Sequence, residues 1–151
     1  MTSPGPDPKS MTGLEQLRGM ASGAIPDAGI NETLRLALVE IELGRAVFEG
    51  RPFEGLVNPS GLVHGGWLMT MIDSAAGAAV YSTLETGMMC VTLETKVNFM
   101  RGVKLDAGVV RAEGRVIGGG RTIIASEARI TDARGTLYAH GTSTLMVTPI
   151  K

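Results

Sequence analysis

Gly65-Gly66-Trp67-Leu68-Met69-Thr70-Met71-Ile72-Asp73-Ser74-Ala75-Ala76-Gly77-Ala78-Ala79-Val80-Tyr81 is the stretch on which the fold turns. It holds no proline, consists mostly of good helix formers, and is apolar nearly all the way round a helical wheel. Such a helix needs cover on every side. Its 17 residues are marginal for a bilayer, and Asp73 at the centre would be costly in lipid, so the stretch reads as the buried central helix of a folded domain.

The chain downstream can supply the cover. Cys90 to Arg101, Ala107 to Ile117, Thr122 to Thr131 and Leu137 to Thr148 are long and β-rich. Between them lie Lys104-Leu105-Asp106, Gly118-Gly119-Gly120-Arg121 and Asp132-Ala133-Arg134-Gly135, which are turn chemistry. Upstream, Leu34 to Pro52 alternates as a hairpin, with Leu36, Leu38, Glu40 and Glu42 on one face and a turn at Gly44. The order is hairpin, helix, then a four-stranded meander. This is an α+β class in which a curved antiparallel sheet wraps a long central helix, and short turns between strands argue against a parallel βαβ sheet. Free edges of such a sheet pair between subunits, so an oligomer is expected.

A length of 151 residues is one domain's worth. Met1 to Pro8, with three prolines, reads as a disordered tail, and 9–151 as a single domain whose residues 9–33 form a helical extension. Within it, Lys9 to Ser22 is expected to be one helix with Met11, Leu14, Leu17 and Met20 on one side. A net charge of -1 gives no field to gather nucleic acid or an anionic membrane surface, so neither is expected as a partner. One cysteine, Cys90, excludes an internal disulfide and a multi-cysteine zinc site, and no metal is expected. The start lacks a basic-then-apolar leader pattern, which points to the cytoplasm. Few aromatics, nine methionines and 21 glycines imply an aliphatic, Met-rich core with close backbone contacts.

Asp73 is the most informative residue. No other charge lies between Gly65 and Tyr81, and a buried carboxylate costs several kcal/mol unless it is paired or hydrogen-bonded. Two readings are open: a structural carboxylate paired with a distant base, or a desolvated base or nucleophile. His64-Gly65-Gly66 opens the same helix, where free N–H groups and the positive dipole end can hold an oxyanion. The other reading of the two glycines is an entry turn. Eight residues at 1.5 Å rise put Gly65 and Asp73 about 12 Å apart, too far for one small carbonyl to touch both. A two-fold axis pairing two such helices antiparallel would bring Gly65 of one subunit opposite Asp73 of the other.

The run Asn58-Pro59-Ser60-Gly61-Leu62-Val63-His64-Gly65-Gly66, followed at Asp73 by an acid on an Ala-rich helix and then by long strands, resembles the hotdog-fold acyl-CoA thioesterases of the phenylacetate-degradation, PaaI-like type. The resemblance covers roughly residues 34–147. It implies hydrolysis of an acyl-CoA thioester to a carboxylic acid and free CoA, with no cofactor, in a homodimer or a dimer of dimers (a homotetramer). By position it implies that the Gly65 N–H polarises the thioester carbonyl and that Asp73 is nucleophile or general base. Asn58 is implied beside the thioester, with His64 bracing the loop and Thr92 orienting water; ordinary β-propensity also explains a threonine there. Gly77 stands where a glutamate-using sister branch has a hydroxyl. Gly66, Gly119, Gly120, Arg121 and Thr122 resemble the parts that lie along CoA, with Arg101 a second cation for its phosphates. A plain hairpin turn is the other reading of the triple glycine.

Trp67 reads as pocket lining or packing, and His140 as a strand residue. Two other functions stay open: a non-catalytic acyl-CoA-binding or regulatory module, and a hotdog dehydratase or hydratase. The second would need a catalytic histidine, for which only His140 is spare.

Overall fold

The computed structural model describes residues 7–150. The disordered tail expected over 1–8 therefore lies largely outside the described residues. Pro8–Ser10 form a 3-10 turn, and α1 covers only Gly13–Ala21 of the helix expected from Lys9 to Ser22. The start is set by Thr12, whose side chain accepts from the Glu15 N–H while the Glu15 carboxylate accepts from the Thr12 N–H. A second short helix, α2 (Gly29–Leu34), precedes the hairpin of β1 (Leu36–Glu42) and β2 (Arg45–Gly50). The central helix α3 spans Gly65–Tyr81, with the bounds read from the sequence. Then follow β3 (Met88–Phe99), β4 (Val110–Gly119), β5 (Ile123–Asp132) and β6 (Leu137–Pro149). Among the described residues no helix is long and apolar enough to cross a membrane.

All six strands form one antiparallel sheet in the order β1-β2-β4-β5-β6-β3. The four-stranded meander is thus only three strands long, because β3 does not lie beside β4 but pairs along its whole length with β6. Cross-strand charge pairs join β4 to the hairpin. Arg111 stands opposite Glu49 and Glu113 opposite Val47, next to Arg45. Arg45 pairs with Glu40 and Glu113 at 2.8 Å each, and Arg111 with Glu49 at 2.7 Å and with Glu40. This network covers the outer face of the hairpin.

It also corrects the hairpin's expected alternation. A bulge between Leu38 and Glu40 shifts the phase, so Glu40 faces outward to the arginines while Ile41 packs on the core.

Inside the curve, α3 lies on the sheet through its small residues. Val110, Ala112 and Gly114 alternate inward from β4, and a Cβ placed on Gly114 would stand 2.1 Å from the Ala75 carbonyl oxygen. Only a glycine permits that approach. Gly114→Ala is expected to cost about 1–3 kcal/mol through overpacking against a rigid helix backbone, read as a lower midpoint in chemical denaturation.

Candidate active site

The central helix is not covered all round. Met69 is 43% exposed and Asp73 is exposed, whereas Met71, Ile72, Ala75 and Ala76 are sealed. Gly65, Met69, Asp73 and Gly77 follow at four-residue steps, so they share one stripe of α3. The burial expected for Asp73 is corrected here, because the sheet of its own chain leaves this stripe open.

Asp73 is held from the sheet. Thr92 Oγ1 donates to Asp73 Oδ1 at 2.9 Å, and Thr95 Oγ1 lies 3.2 Å from the same oxygen. Thr92 thus lies beside the carboxylate, its hydroxyl bound to Oδ1. Thr95 is new, and its neighbour Ser143 lies 2.9 Å further on. Plain alternation would put Thr92 with Glu94 and Lys96 on one face. A bulge between Thr92 and Glu94 moves Thr95 and Val97 to the face of Cys90 and Thr92. Charged Glu94 and Lys96 are left pointing out.

The other end of the stripe is the helix entry. His64 is the N-cap of α3, its Nδ1 accepting the Gly66 N–H at 2.9 Å. The Gly66 N–H is thus occupied by the His64 side chain. The Gly65 N–H has no acceptor among the described residues. Asn58 folds the loop behind it: its Oδ1 accepts from the Ser60 and Leu62 N–H groups at 2.9 and 3.1 Å. A cavity of about 360 Å³ brings Gly65 together with Asn58, Phe99 and Arg101.

Asp73 opens instead on a different cavity, of about 280 Å³. Its walls carry Thr92, Gly77, Cys90 and Tyr81, the apolar Leu38, Phe48 and Leu145, and Leu17, Met20 and Asn31 of the N-terminal segment. Gly65 and Asp73 thus face separate spaces in one chain, as their separation of about 12 Å along the helix demands.

Burial pushes the Cys90 thiol up to about 11, and the Asp73 carboxylate adds to the rise. At pH 7 its thiolate fraction is then about 10⁻⁴. Cys90 is expected to react slowly with a thiol reagent in the native protein and fully once unfolded, which stopped-flow absorbance would read.

Gly119, Gly120, Arg121 and Thr122 form the exposed β4–β5 turn. Arg121 lines a hollow of about 430 Å³ with Thr83, Glu85 and Met88, beyond the C-terminal end of α3 and away from both Gly65 and Asp73. Of the two cations, Arg101 is the one the chain itself places beside Gly65. Trp67 packs in the core, its Nε1 donating to the Leu34 carbonyl. His140 is a half-buried residue of β6 between Asn98 and Arg129.

Residues 60–139 match the family model described as Thioesterase superfamily. An esterase-type protein of Saccharolobus solfataricus is 36% identical over 106 residues, 70% of this chain and 74% of that one. The 1,4-dihydroxy-2-naphthoyl-CoA hydrolase of Listeria monocytogenes is 28% identical over 79% of this chain and 95% of its own. Among solved structures, a phenylacetic acid degradation-related protein from Ralstonia eutropha superimposes with a TM-score of 0.78 at 27% identity, covering 86% of this chain and 98% of that one. The helix wrapped by an antiparallel sheet and the residues matched agree: the chain belongs to the thioesterase superfamily, as a hotdog-fold member related to the PaaI-like acyl-CoA thioesterases.

Proposed function

We propose that the protein hydrolyses an acyl-CoA thioester, using Asp73 of one subunit and the Gly65 N–H of another. The observation that carries this is the open stripe of α3. It holds an N–H at the helix entry with no partner among the described residues and, two turns on, a carboxylate fixed by Thr92. Family membership and the CoA-ester substrate in the Listeria relative's name support the reaction type.

Two stripes facing each other antiparallel across a two-fold axis bring Gly65 of one chain to Asp73 of the other. The outer edge of β3 and its exposed Val91 and Leu93, next to Met69, supply the surface for that dimer. A dimer of dimers is the larger assembly we expect, with the cytoplasm, where CoA esters are made and consumed, as its location.

In the site, the thioester oxygen accepts from the Gly65 N–H at the positive end of α3. Water, oriented by Thr92, gives a proton to Asp73 as its oxygen adds to the carbonyl carbon. The C=O electron pair moves to the oxygen, then returns as the C–S bond breaks, and the departing CoA sulfur takes the proton from Asp73. Direct attack by Asp73 followed by water gives the same products, a carboxylic acid and free CoA. The amide of Asn58, its carbonyl oxygen occupied by the loop, faces the thioester with its NH₂ group. Arg101, and Arg121 on the triple-glycine turn with Thr122, are the groups offered to the CoA phosphates.

A panel of aryl- and medium-chain acyl-CoA esters, followed with a thiol reagent, tests the reaction. Stoichiometric CoA release from at least one ester is expected. Tight binding of CoA esters with no release across the panel would instead make this a binding module.

A further inference from the structure

We infer that Ser143 is a positioning residue for the Asp73 chemistry, acting through Thr95, and that the second oxygen of Asp73, Oδ2, is the one that meets water or substrate. The inference rests on the hydrolase reading above. It begins from proton counting. An ionised carboxylate only accepts, and Thr95 has a single hydroxyl proton with two neighbours, Asp73 Oδ1 at 3.2 Å and Ser143 Oγ at 2.9 Å. The charged partner takes that proton, since a hydrogen bond to an ionised group is the stronger one. Ser143 must then donate to Thr95.

The result is a directed chain, Ser143 to Thr95 to Asp73 Oδ1, met from the other side by Thr92. Both hydrogen bonds end on Oδ1, and Oδ2 has no partner among the described residues. One oxygen is clamped to the sheet and the other is left for chemistry. Ser143 is 2% exposed, so its hydroxyl cannot turn to water, and each bond in the chain polarises the next. The β3 bulge between Thr92 and Glu94 is what makes the arrangement possible, because it puts Thr95 rather than Glu94 over β6 on the helix side.

Ser126, opposite Ser143 on β5, provides a control. It is fully buried on the same row, but its hydroxyl has no hydrogen-bond partner among the described residues and is not part of the chain.

The test compares kcat and KM of purified variants whose melting temperatures are also measured. Thr95→Val, nearly isosteric, should lower kcat about tenfold with KM little changed, the scale of one hydrogen bond to a charged group. Thr95→Ser should restore most of it. Ser143→Ala should lower kcat about threefold in the native background and add nothing in the Thr95→Val background, as expected for a residue acting only through Thr95. Ser126→Ala should leave both constants unchanged. The inference fails if Ser143→Ala leaves kcat at the native value, or if it lowers kcat equally in both backgrounds. A native protein that releases no CoA from any ester would strike the hydrolase reading itself, before any variant is compared.

Discussion

Asp73→Asn is expected to lower kcat for CoA release by about 10² or more, the scale of a lost general base, with the fold and KM little changed. The substitution isolates the chemistry because it removes only the negative charge and the proton-accepting oxygen. An asparagine carbonyl oxygen in the place of Oδ1 still accepts from Thr92 and Thr95, so the links between α3 and β3 survive. Asp73 also makes no ion pair among the described residues, so no partner charge is left stranded by its loss. The other reading open from the sequence, a structural carboxylate paired with a distant base, therefore has no base among the described residues to support it. Turnover near the native rate in a well-folded Asp73→Asn protein would remove Asp73 from the mechanism.

Much of this is legible in the sequence, and the parts that are not share a cause. The bounds of α3 are readable because helix propensity, the glycine entry and the apolar run agree at Gly65–Tyr81. The strands are readable in kind, with ends shifted by at most three residues, as with β4, which begins at Val110 rather than Ala107 because Leu105–Ala107 turn instead. The two bulges are not readable, since a single extra residue such as Val39 or Leu93 leaves no mark in composition while inverting every later position. The Thr95–Ser143 link is hidden behind one bulge and the outward turn of Glu40 behind the other. The place of β3 at the sheet edge is hidden too, because strand order is set by long-range pairing rather than by sequence order. The exposure of Asp73 escapes for a simpler reason: an apolar helix demands cover, and its sequence does not say whether the same chain or a second one supplies it. The start of α1 is a different case, since Thr12 with Glu15 three residues later is a capping pair that the sequence displays openly.

The composite site is tested most directly by mixing two inactive proteins. Gly65→Pro deletes the N–H expected to hold the oxyanion, and losing one such donor should cost about 10²–10³ in kcat. Proline suits the position otherwise. Gly65 is the first residue of α3, where proline is favoured, and His64 before it has the extended backbone, φ -63° and ψ 135°, that a following proline requires. The new ring would press on the Phe99 side chain, which lies 3.1 Å from where a Cβ on residue 65 would stand, but Phe99 is half exposed and can give way. In a mixed dimer of Asp73→Asn and Gly65→Pro chains, one site pairs the intact Gly65 of the first chain with the intact Asp73 of the second, and the other site carries both lesions. With random exchange half the dimers are mixed and half their sites are whole, so the account predicts recovery to about a quarter of native activity. Mixed dimers verified by mass spectrometry that show no activity above either parent would contradict it, and would confine each active site to a single chain.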